Sequence, residues 1–244
     1  MSDVPKSHPR YESLKTRDKI VEGVEKGVTS IHGLMAHGRG EAFDYLIGEK
    51  TNDFAKKSID PACAMLLLAN YPVISVNGNV AALVAKDLVK LSKMIDAKIE
   101  VNIFHTSSKR EKDIKKELMR NGAKDVLLSS KKHQIKFIDS NRRFVNEKGI
   151  LKADVVLVPL EDGDRCEALI KNKKKVITVD LNPMSRTSRT ATITIVDNIV
   201  RAIKLMQDRI KILKKKDDSY LKRVIKSYDN KAALRKAKEK IKKF

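Results

Sequence analysis

Residues 72–84 have the sequence PVISVNGNVAALV, in which a short apolar run ends at Asn77-Gly78-Asn79 and a helical pattern follows. The same alternation recurs along the chain, with further apolar runs at residues 99–104, 125–128, 154–159, 176–179 and 192–196. Short, nearly all-apolar strands that alternate with helices are typical of a parallel sheet buried on both faces. Because crossovers between parallel strands are right-handed, we predict a doubly wound, Rossmann-like α/β sheet flanked by helices.

The first 71 residues lack this alternation and have helical patterns instead. Residues 11–28 are charged and amphipathic, and residues 41–47 form a second, shorter helical pattern. Asp60-Pro61 opens a third, since proline is tolerated in a first helical turn. Residues 135–138 are apolar enough to form an additional strand. We therefore expect a helical segment ahead of the sheet.

The chain has 244 residues and a formal net charge of +21, to which residues 201–244 contribute 17 Lys and Arg against 5 Asp and Glu. We divide the chain into one domain at residues 1–215, N-terminal helices included, and a lysine-rich helical tail at residues 216–244. A charged tail of this kind is usually a solvated helix face. Nucleic-acid binding is the alternative, but aromatic residues make up only 5% of the chain and Trp is absent, so bases would find few stacking partners.

Several other classes of protein are excluded by what the sequence lacks. No apolar run approaches the length of about 20 residues that a membrane helix needs. The first 15 residues have no signal-peptide pattern, so we predict a cytoplasmic protein. Cys63 and Cys166 are too few for a disulfide scaffold, and no Cys/His cluster has zinc spacing. Neither a P-loop nor a G-x-G-x-x-G fingerprint occurs.

A histidine and an arginine lie among glycines in residues 36–49, AHGRGEAFDYLIGE. Glycines allow a backbone to approach a ligand closely, and an arginine fork suits phosphate or carboxylate. Arg39 is therefore a catalytic candidate, and His37 joins it because of its neighbours. The alternative is a helix–turn–helix corner with solvated charges.

Polar residues follow the predicted strands in the loops SVNGNVAA, FHTSSKRE, VPLEDGDRCEA and VDLNPMSRTSRT. Ligands of doubly wound sheets bind beyond the carboxyl ends of the strands. The loop at Asn77, Gly78 and Asn79 precedes a helix whose N-terminus would attract phosphate. The alternative makes Asn79 a plain N-cap and Gly78 a turn residue.

The loop after the most apolar strand carries three carboxylates, Glu161, Asp162 and Asp164, which repel one another unless a cation or an arginine compensates them. Such a cluster suits Mg²⁺ or a substrate ammonium group. The alternative is an Asp-Gly turn in which Asp164 caps the next helix.

Residues 180–190 form the loop with the most polar and charged side chains, and it combines Asn and Asp with two arginines. Asn and Asp can recognise a base or ribose, whereas Arg, Ser and Thr suit phosphate oxygens. Asn198 then opens a helix, either as a cap or as a nucleotide contact.

Six blocks, taken together and in this order, resemble the archaeal phosphopantothenate synthetase (4-phosphopantoate–β-alanine ligase) family. They are PKSHPRYESL (5–14), GLMAHGRGEAFDYLIGE (33–49), PVISVNGNVAALV (72–84), ADVVLVPLEDGDR (153–165), DLNPMSRT (180–187) and ITIVDNIVRA (193–202). The resemblance covers the chain to about Ala202 and continues more weakly through residues 227–230. Residues 129–146 match least.

The resemblance implies an enzyme of coenzyme A biosynthesis that uses ATP to activate 4-phosphopantoate as an acyl adenylate. Pyrophosphate leaves, and the amine of β-alanine then attacks to give 4-phosphopantothenate and AMP. The anionic groups that meet in this reaction would need several fixed cations and Mg²⁺. ATP contacts are implied at Arg17, Arg39, Asp180, Leu181, Asn182, Arg186, Thr187, Asn198 and Ile199. The nearer rival is another ATP-dependent enzyme, such as a small-molecule kinase.

Our own assignments place 4-phosphopantoate at Asn77, Gly78 and Asn79. Lys6, Arg10 and Arg165 are further substrate candidates. Glu161, Asp162 and Asp164 are candidates for the metal or for the β-alanine ammonium group.

The resemblance also implies a homodimer. Ile199, Ile203, Met206, Ile210 and Leu213 are spaced as an apolar seam, which could pack on its own domain or on a partner subunit.

Overall fold

The computed structural model describes residues 4–104 and 107–243. His105 and Thr106 of the predicted polar loop FHTSSKRE lie outside the described residues. Three helices precede the sheet, α1 (Tyr11–Glu25), α2 (Ile31–Leu46) and α3 (Asp53–Leu67). The sheet and its helices follow as β1 (Pro72–Val76), α4 (Gly78–Met94), β2 (Lys98–Val101), α5 (Ser108–Arg120), β3 (Leu127–Leu128), β4 (Ser130–Gln134), β5 (Phe144–Val145), β6 (Val155–Leu157), α6 (Gly163–Lys171), β7 (Lys175–Val179), α7 (Arg186–Thr190), β8 (Ile193–Ile195), α8 (Ile199–Leu213), α9 (Asp218–Lys226) and α10 (Asn230–Lys242).

Six parallel strands form the main sheet in the order β3-β2-β1-β6-β7-β8. Every residue of β1 is buried, as a strand covered on both faces requires, and Ile74 pairs with Ile99 on one side and Leu157 on the other. The predicted doubly wound sheet is therefore confirmed. Its direction of winding reverses between β1 and β6, and this switch point is where such sheets bind ligands.

Helix α2 is much longer than the short helix predicted at residues 41–47, and it continues through residues 36–46 without the corner that was the alternative reading of this block. Ser30 begins the helix by accepting a hydrogen bond from the Gly33 amide at 3.3 Å. Gly33 is required by packing, because a Cβ there would lie 2.4 Å from the Asn79 Oδ1 atom. Glycine within α2 thus permits close contact with α4 rather than a turn.

Helix α3 begins at Asp53, so the prediction that Asp60-Pro61 opens it is wrong. Pro61 lies inside the helix and is buried. Its flanking core residues, among them Phe54, Ala55 and Ile59, are buried as well. Burial of this apolar face outweighs the one backbone hydrogen bond that proline forfeits.

The predicted strand at residues 135–138 is also wrong. The strand β4 ends at Gln134 and pairs antiparallel with β5, forming a small second sheet. Ile135 and Ile138 are buried beside Val145 in a separate apolar cluster. Apolar residues at these positions therefore indicate core packing rather than strand pairing.

The apolar seam of α8 packs within its own chain. Its five residues are buried, and α8 makes extensive contacts with α3 and α4.

The basic tail is docked as well, because Leu221, Leu234 and Ala237 are buried and α9 and α10 pack against α3. The lysines of α9 and α10 remain mostly exposed, so one face of each helix is solvated and the other is packed. No helix in the described parts of the chain is long and apolar enough to cross a membrane.

Candidate active site

A cleft of about 400 Å³ lies at the carboxyl edge of the sheet, between α2 and the loops that follow β6, β7 and β8. Most of the predicted site residues line it. They are His37, Arg39, Asn79, Glu161, Asp162, Asp180, Leu181, Asn182, Arg186, Thr187, Asn198 and Ile199. We call this space the large cleft. It brings together the opening of α6, the loop at 180–187 and the N-terminus of α8, as the topology of a parallel sheet requires.

A second cleft of about 280 Å³ adjoins it, and we call this space the small cleft. Asn77 and Gly78 line the small cleft together with Arg110 and Arg142. Four residues line both spaces, namely Ala36, Asn79, Leu160 and Asp162. The clefts are therefore contiguous, and a reaction could join a ligand in one to a ligand in the other.

The loop at 180–187 is held by its own hydrogen bonds. The Asp180 carboxylate accepts from the Asn182 amide at 2.9 Å and from the Ser185 hydroxyl. Burial raises the pKa of Asp180, and the positive charge of Arg39 opposes that shift. The Thr187 hydroxyl donates to the Glu161 carbonyl oxygen at 2.8 Å, which fixes this loop to the start of α6.

The N-terminus of α8 is fixed by α2. The Asn198 side chain caps α8 by accepting from the Val200 amide at 3.1 Å, and its Nδ2 donates to the Asp44 carboxylate at 2.9 Å. The neighbouring Asp197 is buried and accepts from the Thr51 hydroxyl at 2.6 Å. The sequence alone indicated no role for Asp44, because its partner Asn198 is distant in the chain.

The Glu161 carboxylate lies between two buried arginines, Arg142 and Arg165, and forms an ion pair with each. Burial lowers the pKa of both guanidinium groups to about 10, so both remain charged at neutral pH. Arg165 is completely buried and also donates to the Ser75 hydroxyl at 3.0 Å. Arg165 lines neither cleft, and its ion pair holds the Glu161 carboxylate in position.

The other two carboxylates of this loop point elsewhere. Asp162 is half exposed, lies 3.2 Å from the Arg142 Nε atom and faces both clefts. Asp164 accepts from the Arg165 amide at 2.8 Å. Asp162 rather than Asp164 occupies the N-cap position of α6, so the alternative that gave Asp164 this place is wrong. Within residues 4–104 and 107–243, no three His, Cys, Asp or Glu side chains are grouped so that they could hold a metal ion.

Asparagines of the loop after β1 serve the fold as well as the cleft. Asn77, and not Asn79, caps α4 by accepting from the Val80 amide at 3.1 Å. The Asn79 side chain donates to the Gly33 carbonyl at 2.8 Å and accepts from the Thr29 hydroxyl at 2.5 Å. Gly78 is needed for packing, since a Cβ there would lie 2.6 Å from the Val28 carbonyl oxygen.

His37 contributes a buried ring nitrogen to the large cleft. Its Nε2 atom has no hydrogen-bond partner among the described residues. Burial lowers the pKa of His37 below its ordinary value, and the Glu41 carboxylate opposes this shift. A neutral imidazole with a free nitrogen can accept a proton.

Three basic residues predicted for the site lie away from both clefts. Arg17 and Arg10 form ion pairs with Glu41 at 2.7 and 2.8 Å, and they line a separate groove beside α2. Arg10 also contacts Glu49 at 2.8 Å. Lys6 is exposed in the turn before α1 and lines none of these spaces.

Arg110 and Arg142 are the cleft residues that the sequence did not reveal. Arg142 follows β4 in the segment that has the weakest family resemblance, and Arg110 lies in a lysine-rich amphipathic helix. In both places the surrounding basic residues made it impossible to single out, from sequence, the one arginine that lines the cleft.

The fold and the two contiguous clefts define an α/β protein of the doubly wound class with a candidate ligand site at the topological switch point. A family profile described as phosphopantothenate/pantothenate synthetase matches residues 54–244. The chain belongs to this family, as the resemblance of its sequence blocks predicted.

Curated relatives agree with this assignment. The protein named 4-phosphopantoate–beta-alanine ligase from Methanosarcina mazei is 52% identical over 237 residues, which cover 97% of this chain and 93% of the relative. The protein of the same name from Thermococcus kodakarensis is 52% identical over 231 residues, covering 94% and 88%. That from Methanospirillum hungatei is 48% identical over 200 residues, covering 82% of each.

Proposed function

We propose that this chain is an ATP-dependent ligase that joins 4-phosphopantoate to β-alanine and releases 4-phosphopantothenate, AMP and pyrophosphate. The observation that carries the proposal is the pair of contiguous clefts at the switch point, one lined by Arg39 and Arg186 and the other by Arg110 and Arg142. The names of the relatives supply the two acids, and the clefts offer separate places for a nucleotide and a phosphorylated acid.

ATP is assigned to the large cleft. Asp180 and Asn182 offer carboxylate and amide groups for the base or ribose, and Arg39 and Arg186 offer positive charge for the phosphates. Arg39 lines the large cleft and forms no ion pair with a carboxylate in the described parts of the chain, so its guanidinium is available to a ligand. Arg17 pairs with Glu41 outside this cleft, and its implied ATP contact is supported by the resemblance alone.

In the first step, a carboxylate oxygen of the acid substrate attacks the α-phosphorus of ATP. The new oxygen–phosphorus bond forms as the bond to the β-phosphate oxygen breaks, and pyrophosphate leaves with the bonding electron pair. Negative charge therefore accumulates on the leaving group. Arginines placed beforehand beside that charge lower the barrier, and we assign this role to Arg39 and Arg186.

In the second step, the β-alanine nitrogen attacks the acyl carbon, and AMP leaves as the carbon–oxygen bond breaks. The amine must lose protons during this step, and we assign the acceptor role to His37, whose Nε2 is free. Asp162 faces both clefts and is the carboxylate best placed to bind a cation, which is Mg²⁺ in the first step and the ammonium group of incoming β-alanine before the second. Glu161 holds its two arginines in place, and Asp164 stabilises the start of α6.

Mg²⁺ is expected with the nucleotide rather than in a site made by the protein. The described residues contain no three-carboxylate cluster, but Asp162 is a hard oxygen donor at the junction of the clefts and fits a cation that carries its other ligands from phosphate. Bound there, Mg²⁺ would neutralise part of the phosphate charge.

Product analysis distinguishes this proposal from its rivals. The protein is incubated with ATP, Mg²⁺, 4-phosphopantoate and β-alanine, and nucleotides are separated by ion-exchange chromatography. AMP and pyrophosphate in equal amounts support the ligase, whereas ADP would support a kinase. Tight, salt-dependent nucleic-acid binding without ATP turnover would support the alternative from another class.

An isotope experiment tests the adenylate itself. When the carboxylate of 4-phosphopantoate carries ¹⁸O, an acyl-adenylate route transfers one ¹⁸O atom to AMP, which mass spectrometry detects. Unlabelled AMP would contradict the adenylate. We also propose that the enzyme is a cytoplasmic homodimer, and sedimentation velocity on the purified chain tests the dimer.

A further inference from the structure

The loop assigned to the nucleotide ends in a helix that is too short to be stable alone. Helix α7 has five residues, and Arg186 and Thr187 in its first turn line the large cleft. An isolated helix of one turn does not persist in water, because its few hydrogen bonds do not offset the entropy lost on nucleation. Contacts from other parts of the chain must therefore stabilise α7.

Asn230, the first residue of α10, provides such contacts. Its Nδ2 atom donates to the carbonyl oxygens of Ser188 at 3.1 Å and Ala191 at 3.3 Å. These carbonyls lie at the end of α7, where no further helical turn follows to donate to them. A side chain 42 positions after Ser188 therefore completes the last turn of this helix.

The oxygen of the same side chain is fixed at the edge of the main sheet. Asn230 Oδ1 accepts from the Thr194 amide at 2.8 Å and from the Tyr228 hydroxyl at 3.0 Å. Thr194 belongs to β8, which is an edge strand, so this amide would otherwise face outward without a strand partner. The Asn230 side chain thus bridges β8 and α7 through both ends of one amide group.

Hydrogen bonds lead from Asn230 to the large cleft through Ser188, which is completely buried. The Ser188 hydroxyl donates to the Asn182 carbonyl oxygen at 2.8 Å. The Ser188 amide donates to the Ser185 hydroxyl at 2.9 Å, and that hydroxyl donates to the Asp180 carboxylate. Asp180, Asn182 and Ser185 line the large cleft, whereas Asn230 lines neither cleft, so it can act on a ligand only through these residues.

We infer that Asn230 is a positioning residue for ATP, which completes α7 and so holds Arg186 and Asn182 in place for the nucleotide. This inference rests on the proposed function, because it uses the assignment of ATP to the large cleft. Groups that are ordered before a ligand arrives bind it without an ordering cost. Without the Asn230 side chain, α7 would become ordered only as ATP binds, and affinity would fall. The basic tail would then serve the reaction through its first residues, apart from its solvated lysines.

Steady-state kinetics of Asn230→Ala test the inference. We expect the KM for ATP to rise about 10-fold, because the carbonyls at the end of α7 lose their donor. The kcat at saturating ATP and the KM values for 4-phosphopantoate and β-alanine should stay close to those of wild type, because bound ATP orders the loop and the two acids bind elsewhere.

Asp229→Ala is the matched control. Asp229 caps α10 by accepting from the amides of Lys231 at 2.8 Å and Ala232 at 3.2 Å, and it forms no hydrogen bond with α7 in the described part of the chain. Its loss should lower the melting temperature without changing the KM for ATP. An equal rise of this KM in Asp229→Ala would show that α10 acts through stability alone and would overturn the inference.

Asn230→Asp separates the two ends of the side chain and decides the question if Asn230→Ala does not fold. A carboxylate still accepts from Thr194 and Tyr228, but it cannot donate to the carbonyls of Ser188 and Ala191. The KM for ATP should therefore rise in this variant at least as much as in Asn230→Ala. A wild-type KM in Asn230→Asp would contradict the assigned role.

Hydrogen exchange measures the order of α7 directly. The amides of Ser188, Arg189 and Ala191 donate within this helix and its cap. In the absence of ATP they should exchange about 10-fold faster in Asn230→Ala than in wild type, and saturating ATP should remove most of the difference. Unchanged exchange, an unchanged KM for ATP, or an equal rise in KM for all three substrates would each overturn the inference.

Failure of the proposed function gives a different result. Wild-type protein would then form no AMP, and calorimetric titration with ATP and Mg²⁺ would replace the kinetics. Weaker ATP binding by Asn230→Ala than by wild type would support the positioning role without the ligase reaction. Equal affinities, or no ATP binding by wild type, would overturn it.

Discussion

The carboxylate of Asp44 and the guanidinium group of Arg201 form a two-point ion pair between α2 and α8. Arg201 Nη1 lies 3.1 Å from Asp44 Oδ2, and Nη2 lies 2.5 Å from Oδ1. Because Asp44 also accepts from Asn198, this pair fixes one wall of the large cleft to another. The helix that carries His37 and Arg39 is thereby held against the N-terminus of α8.

Asp44→Ala is therefore expected to weaken both the fold and nucleotide binding. Asp44 is 2% exposed, and the loss of one partner of a buried pair should lower the free energy of unfolding by about 3 kcal/mol. The KM for ATP should rise about 10-fold, because Asn198 loses the acceptor that orients it. Urea denaturation and steady-state kinetics measure the two effects. Asp53→Asn, which changes an exposed carboxylate in the first turn of α3, should alter neither.

Arg39→Ala is expected to slow adenylation while the fold stays intact. Removal of one fixed charge from a developing anion typically costs about 100- to 1,000-fold in rate. Arg39 is exposed on α2, so the melting temperature should change by no more than the experimental error. Pyrophosphate–ATP exchange measures the adenylation step alone. Arg189→Ala, at an exposed position of α7, is the control, and near-normal exchange in Arg39→Ala would refute the assigned role.

The protonation of His37 should respond to the nucleotide. Burial lowers the pKa of His37 below 6.5, so the imidazole of the free enzyme should be neutral at pH 7. ATP brings several negative charges into the same cleft and should raise this pKa, because an anion favours the imidazolium form. NMR titration of the imidazole with and without ATP measures the shift. The resonances of His133, which lies on β4 outside both clefts, should not respond to ATP.

The chemical role of His37 requires a separate variant. His37→Gln should slow the attack of β-alanine more than it slows pyrophosphate–ATP exchange, because only the second step needs a proton acceptor. Equal losses in both steps would assign His37 to binding instead.

Glu100 should make stability depend on pH near neutrality. Its carboxylate is buried in β2 and accepts from the amides of Asn146 at 3.0 Å and Ile150 at 2.6 Å. Burial raises the pKa of Glu100 from 4.5 to about 7, so between these values the folded state binds more protons than the unfolded state. The free energy of unfolding should therefore fall as pH rises through this window, by at most about 1.4 kcal/mol per pH unit.

Urea denaturation of wild type and Glu100→Gln between pH 4.5 and 8 tests this prediction. The difference in unfolding free energy between the two proteins should change through the window and become constant above it. Parallel curves would show that Glu100 is not the titrating group.

Local sequence patterns predicted the sheet and the location of the site well. Strands β1, β6 and β7 are apolar because they are buried on both faces, so their sequences alone show where they lie. The loops after these strands had to meet at one edge, and Asn77 and Asp180 do line the two adjoining clefts there. Helix α2 was underestimated because its three glycines, of which Gly33 packs against α4, disfavour a helix when considered locally.

The sequence by itself determined the alternation of strands and helices and the loops that carry the site, because burial periodicity and capping are properties of neighbouring residues. Only the tertiary structure decided which charges meet. Asp44 and Arg201 are separated by 157 positions, and Arg165 reaches Ser75 across 90 positions. Ion pairs between such distant residues depend on the packing of whole helices against the sheet. For the same reason the structure alone distinguished the paired arginines, such as Arg10 and Arg17, from Arg39 and Arg110, whose guanidinium groups face the clefts.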